Sequence, residues 1–417
     1  MSVISAASHA ALASGAKLVG ALVAMKIIAS DFGPEGLGQL GQFMGFVALL
    51  SAFACGGASV GVTRLVSELH RQRASLRAVL QTASCICFVS CAVSSAIVFF
   101  WADSISLALF KSPTYSIPLQ AGCLLFLPIA FSSLGLASLS GLSASPVLSF
   151  VQVGSAIAGA LGLVVSIKVG GQQGATLGLL WIAASPSFFF FCWWMTKRED
   201  GLSLFLPVYH KATFSILLRY SLLALLSVTC HQAALFFLRS WLHATNGWHS
   251  VGHWQAMSRM SDAYLQMFNI FLLTYFFPKL TGEIALAKLR RELNQAYSYV
   301  LPVLGGVLIF GYCWRDLIIR FFLDTQFYPV RDLFLPQMLG DFAKIAAYIP
   351  GYLALARGYM PALILADPLQ MCLLLIISRI VVQDFGAVGI AWAYCATYFL
   401  YLTISLYAAR AFFKKVV

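Results

Sequence analysis

The chain opens on an apolar run, Ile4 to Ser30, that carries Lys17 and Lys26 inside it. As a helix the run would be roughly 40 Å long, enough to cross the hydrocarbon core of a bilayer. Lys17 then falls near the midplane, too deep for its amine to reach either surface easily. A lone cation at that depth costs about 2.5–3.5 kcal/mol on insertion scales, and such residues face a bundle interior or a water-filled path. Lys26 has a second option, because its stem can snorkel to the nearer interface. The run is too long for a signal peptide and lacks a basic n-region and a cleavage site, so it is expected to remain in the mature chain. Two lysines in the first span point to an anion.

The rest of the sequence repeats the apolar pattern. Of 417 residues, 60% are hydrophobic and 10% charged, against about 25% charged in soluble domains. The hydrophobic runs predict an all-α polytopic membrane protein with twelve spans. They lie at 4–30, 39–64, 78–101, 118–142, 146–168, 174–196, 213–239, 252–278, 293–314, 331–356, 360–382 and 387–410. Two breaks rest on short signals, Ser143-Ala144-Ser145-Pro146 and Arg357-Gly358. The net charge of +12 does not indicate nucleic acid, since the cations flank hydrophobic spans and form no basic domain. The ten cysteines all sit in apolar stretches and read as small packing residues, with no disulfide framework or zinc spacing.

Charge orients the bundle. With both termini cytoplasmic, fifteen Lys and Arg fall inside and five outside, which fits the positive-inside rule. Seven cations remain within spans: Lys17, Lys26, Arg219, Arg239, Arg259, Lys344 and Arg379. They face three acids at depth, Asp262, Asp341 and Asp367, so the membrane interior is net positive.

Glycine clusters mark an internal repeat. They stand at Gly36-Leu37-Gly38, Gly174 to Gly178, Val251-Gly252 and Gly386 to Gly389, which are matching places in a six-plus-six division. An even number of spans per half makes the halves parallel repeats about an axis along the membrane normal. The expected lobes are 1–200 and 201–417, parted at the hydrophilic stretch Lys197 to Gly201. Gly41, Gly45, Gly57 and Gly61 in span 2 read as close packing in preference to a bend or gate. The aromatic run Phe188 to Trp194 reads as an interfacial belt.

Candidate chemistry lies on two stripes. In span 8, Arg259, Asp262 and Gln266 are spaced i, i+3, i+7 and share a face, with Trp254 a turn earlier. In span 10, Asp341, Lys344 and Tyr348 repeat that spacing. On each stripe a cation and an anion can neutralise each other and still contact a substrate. A self-satisfied pair that only packs helices is the plain alternative, and desolvation makes such pairs weak stabilisers. Lys17, Lys26, Arg64 and Asp367 complete the candidate substrate cavity. His243, His249 and His253 gather at one edge of spans 7 and 8; they read as interfacial polar groups, with a proton role as the sharper alternative.

Enzyme signatures are missing: no Gly-x-x-x-x-Gly-Lys-Ser/Thr loop, no His-Glu-x-x-His, and no large extramembrane segment. No cofactor is expected.

Three segments carry a family resemblance along nearly the whole chain. They are Phe32-Gly33-Pro34-Glu35-Gly36-Leu37-Gly38 after Lys17 and Lys26; Trp254-Gln255 through Ser261-Asp262-Ala263-Tyr264-Leu265-Gln266; and Arg331-Asp332-Leu333-Phe334 with Gln337, Gly340-Asp341, Lys344 and Tyr348. The chain resembles the oligosaccharide-lipid flippases of the multidrug/oligosaccharidyl-lipid/polysaccharide (MOP) exporter superfamily. Within them it is similar to the Wzx-type O-antigen translocases, and most of all to the lipid III flippases of enterobacterial common antigen synthesis. The resemblance implies two six-helix lobes in a MATE-like V around a cationic cavity. It implies a monomer in the bacterial inner membrane that flips an undecaprenyl-pyrophosphate-linked oligosaccharide to the periplasmic leaflet by alternating access. Candidate partners are that glycan, membrane lipids, and the polymerase and chain-length regulator of the same pathway. A MATE-like ion-coupled antiporter of small molecules is the alternative, and it would favour an acidic cavity.

Overall fold

The computed structural model describes residues 3–69, 73–142, 145–197, 205–280, 286–356 and 360–415. The connector at 198–204 and the expected breaks at Ser143-Ala144 and Arg357-Gly358 lie outside them.

Four helices are far too long for one crossing: α1 (Val3–Ala54), α7 (Ser145–Lys197), α8 (Lys211–Phe271) and α13 (Met360–Lys415), of 52, 53, 61 and 56 residues. Each is folded at one glycine with positive φ: Gly33, Gly171, Gly247 and Gly386. A side chain would clash with the backbone there, so glycine alone makes the reversal cheaply. The arms then run back on each other. In α7, Trp181 donates to the Ala158 carbonyl and Ser185 to that of Ser155. Of the four glycine clusters only the last contains the turn residue itself, Gly386; the others stand just after the turn. A Cβ on Gly174 would lie 1.9 Å from the Ser166 carbonyl oxygen, so that residue lets the arms close.

The remaining elements are α2 (Ser59–Leu69), α3 (Arg73–Phe100), α4 (Ala102–Phe110), α5 (Ser116–Gly122), α6 (Phe126–Gly141), α9 (Phe277–Leu280), α10 (Leu286–Cys313), α11 (Arg315–Phe322) and α12 (Phe334–Ala356). Seven helical stretches of the described residues are long and apolar enough to cross a membrane, and four of these are the folded pairs. The 23-residue α12 is long enough to add a further crossing. The architecture is therefore the expected all-α bundle of twelve spans in a multi-pass membrane protein.

The repeat is visible in the breaks. Gly33 and Gly247 stand 214 positions apart, and Gly171 and Gly386 stand 215 apart. Trp101 and Trp314, 213 apart, occupy the N-cap positions of the short helices α4 and α11 with nearly equal dihedrals. Even a defect is paired: span 2 breaks at Gly56 and Gly57, both with positive φ, and the equivalent stretch of span 8 opens into a π-turn at Leu272–Phe276. Span 2 is thus not the single helix expected over 39–64. Gly57 and Gly61 serve packing as well as the bend, for a Cβ on Gly57 would lie 2.6 Å from the Ser221 carbonyl oxygen.

The chain sorts into two compact units, Met1–Ile27 with Gln39–Gln232, and Ile28–Gly38 with Ala233–Val417. Unit 1 is held by an apolar cluster in which Leu80, Leu134, Phe190 and Trp194 are fully buried. This corrects the reading of Phe188 to Trp194 as an interfacial belt: Phe188 is exposed, whereas Phe190 and Trp194 pack with Phe205 in the core. Residues 190 and 194 are one helical turn apart and share the inward face. All ten cysteines are free.

Candidate functional site

The most polar cluster described in unit 2 is built on α12. Asp341 is fully buried, and its carboxylate accepts hydrogen bonds from three neighbours in other spans. Ser261 donates at 2.6 Å and Tyr394 at 2.7 Å, and Tyr264 donates as well. Gln337, one turn earlier on α12, adds a 3.5 Å contact and also donates to Ser261. Four donors around a buried carboxylate replace the water it has lost.

Lys344, one turn after Asp341, does not close a salt bridge with it among the described residues. Its ammonium instead lies 5.0 Å from the centre of the Tyr398 ring and 5.6 Å from that of Tyr394, within cation–π range. The i, i+3 spacing does put the two charges on one face, but the Asp341 oxygens are already taken by hydroxyls. The two tyrosine rings are 4.6 Å apart. Tyr348 is half-buried on the next turn of α12.

The span 8 stripe is looser. Arg259 and Asp262 approach to 4.0 Å, with the aspartate side chain 64% exposed, so the pair is an ion contact at the limit of range and contributes little. Gln266 is half-buried farther along. Trp254 does not share their face: it is buried in an apolar cluster with Leu238, Leu242 and Ile390. Across the hairpin fold, Arg239 is only 4% exposed; its Nε donates to Gln255 at 3.1 Å, and its guanidinium lies 5.7 Å from the Trp254 ring.

The other sequence-predicted residues stand apart from this cluster. Lys17, Lys26 and Arg64 belong to unit 1 and are exposed. At 100° per residue, Lys17 and Lys26 point to opposite sides of a straight helix. Arg64 bonds Glu68 at 2.8 Å and Tyr220. Asp367 is exposed on α13.

Sequence reasoning missed Tyr394 and Tyr398 in span 12 and did not assign Arg239. The tyrosines carry a usable signal, since i, i+4 tyrosines in mid-span place two hydroxyls on one face. Arg239 was visible as a cation at depth, but its partner Gln255 is sixteen residues away across a fold that pattern reading does not supply. Within the cluster Asp341 and Tyr398 are buried, and the half-buried Lys344, Tyr348 and Tyr394 carry its accessible cation, hydroxyls and rings.

The architecture defines the class. The chain superposes on an inward-facing multidrug-resistance MATE transporter of the MOP superfamily with a TM-score of 0.81 over 95% of both chains, at 16% identity. An outward-facing MATE transporter gives 0.65 at 16% identity, covering 98% and 96%. A MOP transporter from Pyrococcus furiosus, whose binding pocket is described as having reverse polarity, gives 0.66 at 15% identity, covering 97% and 95%. The fold is that of the MOP transporters. No family model matches the sequence. Curated relatives narrow the class: the chain is 31% identical to the lipid III flippases of Escherichia coli strain K12 and Shigella flexneri over 406 residues, 97% of this chain and 97% of each relative. The chain belongs to the lipid III flippase family.

Proposed function

We propose that the protein moves an undecaprenyl-pyrophosphate-linked oligosaccharide, lipid III or an O-antigen unit, from the cytoplasmic to the periplasmic leaflet of a bacterial inner membrane by alternating access. Kinship over 97% of the chain with proteins named for lipid III carries this reading. The physical chemistry supports it. A pyrophosphate is the costliest part of such a molecule to take through hydrocarbon, and seven cations against three acids at depth offset that cost. Fifteen cations against five favour cytoplasmic termini, and the lobes are taken as 1–200 and 201–417.

Lys344 and Arg259, with Lys17 and Lys26, are assigned to the pyrophosphate, the two lysines in turn because they lie on opposite sides of α1, and Arg64 to its entry side. The half-buried Tyr348 and Tyr394 offer ring faces to the sugars, Gln266, Asp262 and Asp367 offer polar contacts, and Trp254 backs Arg239. The protein acts as a monomer, with the polymerase and chain-length regulator as docking candidates. The fold is shared with a multidrug-resistance MATE transporter, but the positive interior favours an anionic cargo over the antiporter alternative.

Expression in a strain deleted for its own lipid III flippase tests the reading. Restored surface glycan is the expected result; continued accumulation of the lipid-linked glycan at normal protein levels would contradict it.

A further inference from the structure

The three histidines at the edge of spans 7 and 8 part company in the structure. His243, on the first arm of α8, stacks on the Trp248 ring at 4.2 Å. His249 and His253, on the second arm, pair with each other. Both follow the reversal at Gly247 and lie in regular helix, four residues apart. That spacing puts them on one face, and the N-terminal lean of helical side chains carries His253 towards His249. Their ring centres stand 5.5 Å apart, with the planes at 77°.

His253 is held from two sides. Its Nε2 lies 3.1 Å from the Gln326 carbonyl oxygen. Its ring also meets the buried Phe327 ring edge to face, with 5.9 Å between centres. Gln326 and Phe327 belong to a 3₁₀ segment, Thr325–Leu333, which Asp324 caps by accepting from the Thr325 amide at 2.6 Å. All of these residues lie in unit 2. A carbonyl oxygen only accepts, so Nε2 carries the proton and the neutral ring keeps a free lone pair on Nδ1. Giving one ring N–H to a backbone carbonyl is the device that orients metal-binding histidines. His249 is exposed and, among the described residues, has only the ring contact with His253. Its ring is therefore free to turn.

We propose that His249 and His253 form a site for a borderline divalent transition cation, Cu²⁺, Ni²⁺ or Zn²⁺, at the tip where α8 folds back. Imidazole nitrogen suits those ions, whereas Mg²⁺ and Ca²⁺ demand oxygen. Two imidazoles on a tetrahedral ion at about 2.0–2.1 Å have ring centres roughly 5 Å apart, so a small turn of His249 closes the site. Among the described residues no third His, Cys, Asp or Glu completes it. Water fills the remaining positions, which makes the site open and exchangeable. A bound ion fixes the first turn of span 8 and, through His253, ties it to the segment that leads into α12. The site is distinct from the Asp341 cluster, since Ser261 lies two turns farther along span 8, about 12 Å away. It does not depend on which molecule is carried.

Copper titration of the purified full-length protein, prepared without a histidine tag, tests the site. Paramagnetic resonance of the bound Cu²⁺ should show coupling to imidazole nitrogen in the wild type. His249→Ala, at an exposed position, should fold as the parent does and weaken copper binding about tenfold or more. His210→Ala, in unit 1 beside Gln81, should leave binding intact. Equal copper affinity and an identical spectrum in wild type and His249→Ala overturn the site.

Zinc supplies a second readout. Zn²⁺ should raise the melting temperature of the wild type, His249→Ala should lose that rise, and Mg²⁺ should cause none in either protein. A zinc-induced rise of equal size in wild type and His249→Ala overturns the proposal as well. Neither measurement involves the glycan, so failure of the cargo reading leaves both outcomes as they are.

Discussion

Helices α6 and α12 occupy equivalent places in the two halves of the repeat, and one is filled with hydrocarbon where the other is filled with charge. At the offset of 214, Asp341, Lys344 and Tyr348 correspond to Leu127, Ala130 and Leu134. Ala130 and Leu134 are wholly buried in the apolar cluster of unit 1, and Leu127 packs against it. Asp341 is buried as completely, but among hydroxyls and an amide. The scaffold accepts an apolar core at this station, so the charges of α12 are not needed to build the fold. Retaining them costs desolvation free energy, which the role in transport proposed for Lys344 would offset.

The largest effect should come from breaking that contrast on one side only. Asp341→Leu strips the acceptor from Ser261, Tyr264, Tyr394 and Gln337; Ser261 and Gln337 are buried, and a buried donor left unpaired costs about 1–3 kcal/mol. Thermal unfolding of the purified protein should shift down by many degrees, and export should stop. An unchanged melting temperature would show that the knot does not hold the helices. The comparison sharpens when the partners change too. Combining Asp341→Leu with Ser261→Ala, Tyr264→Phe and Tyr394→Phe makes the station apolar like its counterpart. Most of the lost stability should return without export, because a buried polar network can often be replaced by hydrocarbon at little cost.

Lys344 comes next. Lys344→Gln should abolish export while changing stability by about 1–2 kcal/mol, the scale of a desolvated cation–π contact. Lys344→Arg should keep part of the activity, since the charge and the ring contact both survive. Equal export by wild type and Lys344→Gln at matched expression would remove this residue from the site.

How far the sequence foretold this arrangement depended on the range of the signal. Spans were legible because twenty apolar residues in a row answer to bilayer thickness alone. The repeat was legible in its glycines, although Gly33, Gly171 and Gly247 make the turns and the following glycines pack the arms. Pattern reading has no access to φ, so it could not separate the two jobs. Within the candidate site, the α12 stripe was legible from spacing on one helix. Its partners Tyr394 and Tyr398 lie in span 12, and nothing in local periodicity connects them to Asp341. Trp254 was misassigned to the cavity face for the same reason: its burial comes from packing against spans 7, 11 and 12.

Smaller effects are expected in unit 1. Lys17 and Lys26 point to opposite sides of α1, so one wall of a cavity can hold only one of them while the helix is straight. Lys17→Gln and Lys26→Gln should therefore differ several-fold in export; equal losses would require α1 to bend or rotate during transport. Smallest of all is Arg64→Ala in the Arg64–Glu68 pair, with side chains 53% and 51% exposed. A pair so open to water contributes about 0–1 kcal/mol, so the melting temperature should barely move.

The central claim is that the positive interior carries the pyrophosphate of a lipid-linked glycan. It is tested most directly in proteoliposomes loaded with undecaprenyl-pyrophosphate-linked oligosaccharide, with an added glycosidase trimming only the glycans in the outer leaflet. Wild-type protein should make nearly the whole pool cleavable, while Lys344→Gln should leave about half protected, as in liposomes without protein. Complete cleavage with Lys344→Gln, or half protection with wild type, would contradict the account.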